Sequence, residues 1–152
     1  MKEVELLKDW IIENLKYRDV YMKSINDILQ GKDESEVIVS YKNKRQLVLI
    51  EPYFSAMDSL IGRIKDCQQD FDSVLVVTLN SKANVSGLIE CWGRLVSIHI
   101  LTIYFVNPYS EKEKRWIITP YSHDMVAHRQ SLKSGLMSLY SNVDEYQKKN
   151  SV

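Results

Sequence analysis

Two glutamates, Glu36 and Glu51, have the type and the spacing to do chemistry. Glu36 opens a β-favouring run over residues 36–41 (EVIVSY), and Glu51 closes a second over residues 46–51 (QLVLIE). The segment between them, Lys42-Asn43-Lys44-Arg45, is polar and tight, and Asn tolerates left-handed backbone, so the sequence predicts a β-hairpin. A turn on Asn43-Lys44 sets Glu36 directly opposite Glu51, on the face shared with Ile38, Ser40, Leu47 and Leu49. Like charges facing each other across a sheet repel. Such a pair is tolerated when a cation or a proton lies between its members. Clustered hard oxygen ligands of this kind hold Mg²⁺ and activate water for phosphodiester hydrolysis. Glu36 and Glu51 are therefore the candidate catalytic and metal-ligating residues, and Mg²⁺ is the cofactor of that reading. The competing reading leaves both side chains at a strand end, splayed into water.

Other residue types give weaker patterns. His123 and His128 are separated by more than the i, i+4 step that a helical zinc site needs, so their rings point apart. His99 stands alone. Cys67 and Cys91 form no CxxC pair, and both read as buried, reduced, small apolar residues. Phosphate-binding glycine loops and GxSxG elbows are absent. A second candidate site lies at strand ends. Asn80-Ser81 and Asn107-Pro108 each follow a buried strand, and open α/β sheets bind ligands at such carboxyl ends. Tyr53, Asn80 and Asn107 are the candidate ligand-binding residues there, with Tyr109 and Tyr121 expected on the same rim. The plainer reading makes the asparagines helix and turn caps.

The elements that must position these residues follow from periodicity. Val4, Leu7, Ile11, Leu15, Met22, Ile25 and Leu29 recur at mostly three- or four-residue steps, so the first thirty residues read as helix with a bend near Tyr17–Asp19. The hairpin follows, and Pro52 ends its second strand. Residues 58–69 read as helix. Residues 73–79 (SVLVVTL) form a continuous β-branched run, the mark of a strand buried on both faces. A helix over 85–96, a buried strand over 101–106 and a strand over 115–119 come next. The last helix is expected over 124–146, with Leu132, Leu136, Leu139 and Val143 as its apolar stripe and a frayed tail from Lys148. Strand–helix–strand units imply parallel pairing, and the hairpins imply antiparallel edges. The prediction is a single α/β domain over 1–152, with a mixed central sheet of about five strands flanked by helices.

A helix, a hairpin ending in VLIEPYF, a helix ending in RIKDCQQDFDS and then the strand VLVVTLN together resemble the PD-(D/E)XK, or restriction-endonuclease-like, superfamily over roughly residues 1–80. In that family an acidic residue precedes a Glu or Asp on the next strand, and a Lys lies two places after the second. Glu51 matches the second acidic position, Glu36 is the candidate for the first, and Tyr53 stands where the Lys would be. The resemblance thus implies either a member that has lost catalysis or one that supplies the missing cation from elsewhere. Lys42, Lys44 and Arg45 lie at the wrong end of the hairpin to supply it. A cluster of Arg63, Lys65 and Lys82 beside the glutamates would favour an active enzyme.

Composition narrows the choice. The chain has 152 residues with 20 basic and 20 acidic side chains, so a broad basic surface for nucleic acid is not favoured. Met1 to Asp9 mixes acid and base, and no apolar run reaches membrane-spanning length, so a soluble cytoplasmic protein without membrane association is expected. Balanced charge and plentiful Tyr and Trp make a second copy of the chain a candidate partner. Three functions follow. The first is a non-catalytic nuclease-like protein acting by partner binding or self-association. The second is a divalent-metal nuclease using Glu36 and Glu51. The third is a small-molecule-binding domain at the strand-end rim.

Overall fold

The structure, a computed structural model, describes residues 2–148. Helix α1 (Lys2–Arg18) buries Val4, Leu7, Ile11 and Leu15, one stripe at helical spacing. Strands β1 (Ile25–Gln30), β2 (Glu36–Tyr41) and β3 (Arg45–Ile50) form an antiparallel meander. Helix α2 (Met57–Cys67) then crosses to β4 (Ser73–Leu79), which pairs parallel to β3. Helices α3 (Lys82–Glu90) and α4 (Trp92–Leu95) lead to β5 (Leu101–Val106), parallel to β4. Strand β6 (Arg115–Ile118) returns antiparallel, and α5 (Pro120–Val126) and α6 (Leu132–Tyr140) complete the chain. The six strands lie in sequence order, β1-β2-β3-β4-β5-β6.

The sheet has helices on both faces, as its alternation requires. Leu47, Leu49, Val74, Val76, Ile103 and Phe105 point to the face covered by α2, α3, α4 and α6. Val37, Val39, Val48, Ile50, Leu75 and Val77 point to the face covered by α1. The β4 and β5 runs are apolar at most positions on both faces, with Ser73, Thr78 and Thr102 as exceptions, because both of their sides are buried. The apolar residues expected of the last helix cover their own sheet: Leu132 and Leu136 of α6, and Val143 beyond it, belong to the larger core and Leu139 packs against it. Among the described residues, no helix is long and apolar enough to cross a membrane.

Three expectations need correction. The N-terminal helix stops at Arg18, and Ile25–Gln30 is a sixth strand. Asp19 stops the helix locally, because its carboxylate accepts the backbone N–H groups of Ser24 (2.8 Å) and Ile25 (3.0 Å). Lys23 turns the chain with φ +49°. The C-terminal helix is two shorter helices, α5 and α6, joined by a 3₁₀ turn over Arg129–Ser131, and it ends at Tyr140 rather than Tyr146. The helix expected over 85–96 divides at Cys91 into α3 and α4. The tail expected to fray lies, beyond Lys148, outside the described residues.

Candidate carboxylate site

The hairpin turns on Lys42-Asn43, closed by Tyr41 N–H donating to the Lys44 carbonyl at 2.8 Å. This register pairs Glu36 with Leu49 and not with Glu51. The offset from the expected register is two residues, so every side chain keeps its face. Glu36 and Glu51 therefore share the α2 side of the sheet, Glu36 at the start of β2 and Glu51 just past the end of β3. Backbone bonds fix both: Glu36 N–H donates to the Asp33 carbonyl at 3.1 Å, and Glu51 N–H to the Val77 carbonyl at 2.9 Å.

One cation joins them. Arg63 lies on α2, whose Leu60, Ile61 and Ile64 are buried against the sheet. Its Nη2 donates to Glu36 Oε2 at 2.8 Å, and its Nη1 lies 3.7 Å from Glu51 Oε2. The other Glu36 oxygen, Oε1, accepts the Lys32 backbone N–H at 3.1 Å. The Glu36 side chain is only 11% exposed, against 36% for Arg63. A buried carboxylate is stable only when paired and hydrogen-bonded, and both conditions are met. Gly31 allows the close packing: a Cβ there would stand 2.6 Å from Glu36 Cβ and 2.8 Å from Glu36 Oε1.

Glu51 is held less tightly. Burial pushes its carboxyl above the usual range, the Arg63 charge pulls it down, and Asp33 pushes it up again, for a net rise. The long 3.7 Å contact explains why burial wins. Asp33 is itself held below its ordinary value by the Ser35 hydroxyl and Ser35 N–H. Lys65 and Lys82 are exposed, and among the described residues neither forms an ion pair with these glutamates.

The donor set does not fit a resident divalent ion. Both Glu36 oxygens are already engaged. No group of three or more His, Cys, Asp or Glu among the described residues is placed to hold a metal. His123 lies on α5, whereas His128 lies beyond that helix, and the His123 ring packs edge-on against Trp92 at 5.6 Å. Cys91 is buried, whereas Cys67 is only partly so.

The strand-end asparagines are fully used inside the fold. Asn80 is completely buried. Its Nδ2 donates to the carbonyls of Tyr140, Val143 and Asp144 at 3.2, 3.0 and 3.3 Å. Its Oδ1 accepts the Trp116 Nε1–H at 2.7 Å. Asn107 Nδ2 donates to the same Asp144 carbonyl at 3.0 Å, and its Oδ1 accepts Tyr109 N–H at 3.0 Å. Together they clamp the chain after α6 across the strand ends. Tyr53 lies on this rim and is 46% exposed, as does Tyr109 at 43%. Tyr121 lies at the opposite end of the sheet, stacked on His99 at 3.8 Å, because β6 runs antiparallel to β5.

Sequence reasoning did not single out Asn84. It is buried in the first turn of α3, accepts Phe54 N–H at 2.9 Å and donates to Pro52 O, Thr78 Oγ1 and Leu79 O at 2.9, 3.0 and 2.8 Å. This network fixes the segment after Glu51. Its one sequence signal is an Asn three residues after the capping Ser81. Compared with known proteins, the chain matches no family model, no curated protein and no solved structure.

Proposed function

We propose that this chain is a non-catalytic protein of restriction-endonuclease-like architecture, acting by binding a partner or a second copy of itself. The observation that carries the reading is Arg63. Its guanidinium sits between Glu36 and Glu51, where a hydrolytic site needs an exchangeable metal. The helix, the meander ending at Glu51, the following helix and the buried parallel strand keep the order that the resemblance implies. Tyr53, at the position of the family's Lys, is exposed and carries no cation.

One observation favours the divalent-metal nuclease reading: Arg63 is a cation supplied from elsewhere, from α2. That reading requires Arg63 to release at least one carboxylate. Titration calorimetry with Mg²⁺ and Mn²⁺, on wild type and on Glu51→Gln, separates the two. The non-catalytic reading expects no saturable heat at millimolar metal. A micromolar site that disappears in Glu51→Gln would overturn it. Sedimentation over a range of concentrations then shows whether the partner is a second copy.

A further inference from the structure

Beneath the last turn of α1, at the end of the sheet away from Glu36 and Glu51, lies a groove of about 320 Å³. Arg18, Tyr41, Lys44, Gln46, Thr102 and Tyr104 line it. We propose that this groove binds the phosphate group of a phosphomonoester, through the unspent hydrogen-bond donors of Arg18, Lys44 and Tyr104. The inference goes beyond the function proposed above and holds whether or not the carboxylate site turns over.

Donors outnumber acceptors in this groove. Arg18 Nη1 donates to Tyr104 Oη at 2.7 Å, and among the described residues its guanidinium meets no carboxylate. Tyr104 is 6% exposed, and its oxygen accepts that bond, so the phenol proton is left without an acceptor among the described residues. The Lys44 ammonium stands 4.9 Å over the Tyr41 ring and also lacks a carboxylate. Behind the groove the Arg115 guanidinium lies 5.6 Å over the Tyr104 ring, and its buried Nε has no partner. Three cations thus surround two phenols.

The one carboxylate in the wall, Asp19, forms no ion pair with them among the described residues. Asp19 is taken by the N–H of Ser24, the hydroxyl of Ser24 and the N–H of Ile25. The negative end of α1 is similarly occupied, since the Leu15 and Lys16 carbonyls accept Asp19 N–H and the Tyr17 carbonyl accepts Val20 N–H. Unpaired donors reach the groove from a helix end, a hairpin and a strand, an arrangement suited to an oxyanion whose oxygens point in several directions. A guanidinium adds a fork matched to phosphate oxygens. The groove volume is in the small-ligand range, and Leu15, Leu75 and the tyrosine rings leave an apolar wall for the rest of the molecule.

Calorimetry on the full chain tests this with inorganic phosphate, adenosine monophosphate and a short 5′-phosphorylated oligonucleotide. Saturable binding is expected for all three. Arg18→Gln, Lys44→Gln and Tyr104→Phe should each weaken it about tenfold, as expected for losing one charge-assisted or buried donor. Arg94→Gln, whose wild-type residue pairs with Asp58, should leave it unchanged. Lys44 is exposed on the hairpin, so that variant reports binding even if Tyr104→Phe lowers stability. Tighter binding of the mononucleotide assigns a small metabolite, and tighter binding of the oligonucleotide assigns a nucleic-acid end. Heat that does not saturate, or that all three groove variants leave unchanged, overturns the proposal.

Discussion

Replacing Arg63 by Met should destabilise the protein by about 2 kcal/mol. Met keeps most of the aliphatic stem, so the change isolates the charge. The Arg63–Glu36 contact is 2.8 Å, with side chains 36% and 11% exposed. Breaking a fully buried pair costs about 3–5 kcal/mol, because the remaining charge is stranded. Breaking a surface pair costs about 0–1 kcal/mol. This pair lies between the two limits: Glu36 is closed off while Arg63 is open to water. Glu36 would retain only the Lys32 N–H. For a chain of this size, about 2 kcal/mol corresponds to a fall in Tm of about 4–8 °C. Urea unfolding followed by tryptophan fluorescence measures the loss, and Trp92 and Trp116 are both in the core. Adding Glu36→Gln to Arg63→Met should restore part of the loss, with a coupling of about 1–2 kcal/mol. A single-variant loss below about 0.5 kcal/mol, with strict additivity in the double variant, would refute the claim that Arg63 holds the buried carboxylate.

Further predictions concern the surrounding frame. Asn80→Ala removes three donated bonds and the Trp116 acceptor, and should cost about 4 kcal/mol in chemical denaturation, since several buried polar groups lose partners together. A loss near that of an ordinary surface substitution would contradict the clamp. Gly31→Ala forces a Cβ to within 2.6 Å of Glu36 Cβ and should cost about 1–3 kcal/mol through overpacking, read as a lower urea midpoint. Asp144 is held below its ordinary value first by the Glu111 N–H, which donates to its Oδ2 at 2.8 Å. A depressed carboxyl contributes stability above its unfolded pKa and loses it as pH falls through the folded one. Asp144→Asn should therefore lower the urea midpoint at neutral pH, and the gap from wild type should close as the solution is acidified through the carboxylate range. A gap that is independent of pH would contradict this.

The parts of the fold that were legible in the sequence are those whose length and residue types match one kind of element. The run SVLVVTL and residues 101–106 are short and rich in β-branched and aromatic residues, the mark of strands buried on both sides, and they are β4 and β5. The segment INDILQ was misread because β1 is an edge strand whose burial does not alternate; its apolar Ile25, Ile28 and Leu29 fall at helical steps by coincidence. The helix expected to run on to Tyr146 ends early because Asn80 and Asn107 draw the following carbonyls into their own hydrogen bonds. No local signal near Tyr140 announces partners so distant in sequence.

Legibility of the site divides in the same way. The shared face of Glu36 and Glu51 follows from period-two alternation and survives the change of register. The register itself does not follow, since turns on Lys42-Asn43 and on Asn43-Lys44 are both polar and both place Asn in the loop. Arg63 was visible as a basic residue on a helix but not as the bridge between two glutamates. Its Glu36 partner is 27 residues away, and only the packing of α2 on the sheet brings them together.

Arg63 lies between Glu36 and Glu51, and the function proposed above takes the site to be non-catalytic for that reason. The most direct test incubates the full chain with single-stranded, branched and plasmid DNA in Mg²⁺ or Mn²⁺, beside Glu51→Gln. No metal-dependent cleavage above the Glu51→Gln background is expected. Turnover in wild type that Glu51→Gln abolishes would contradict the non-catalytic reading.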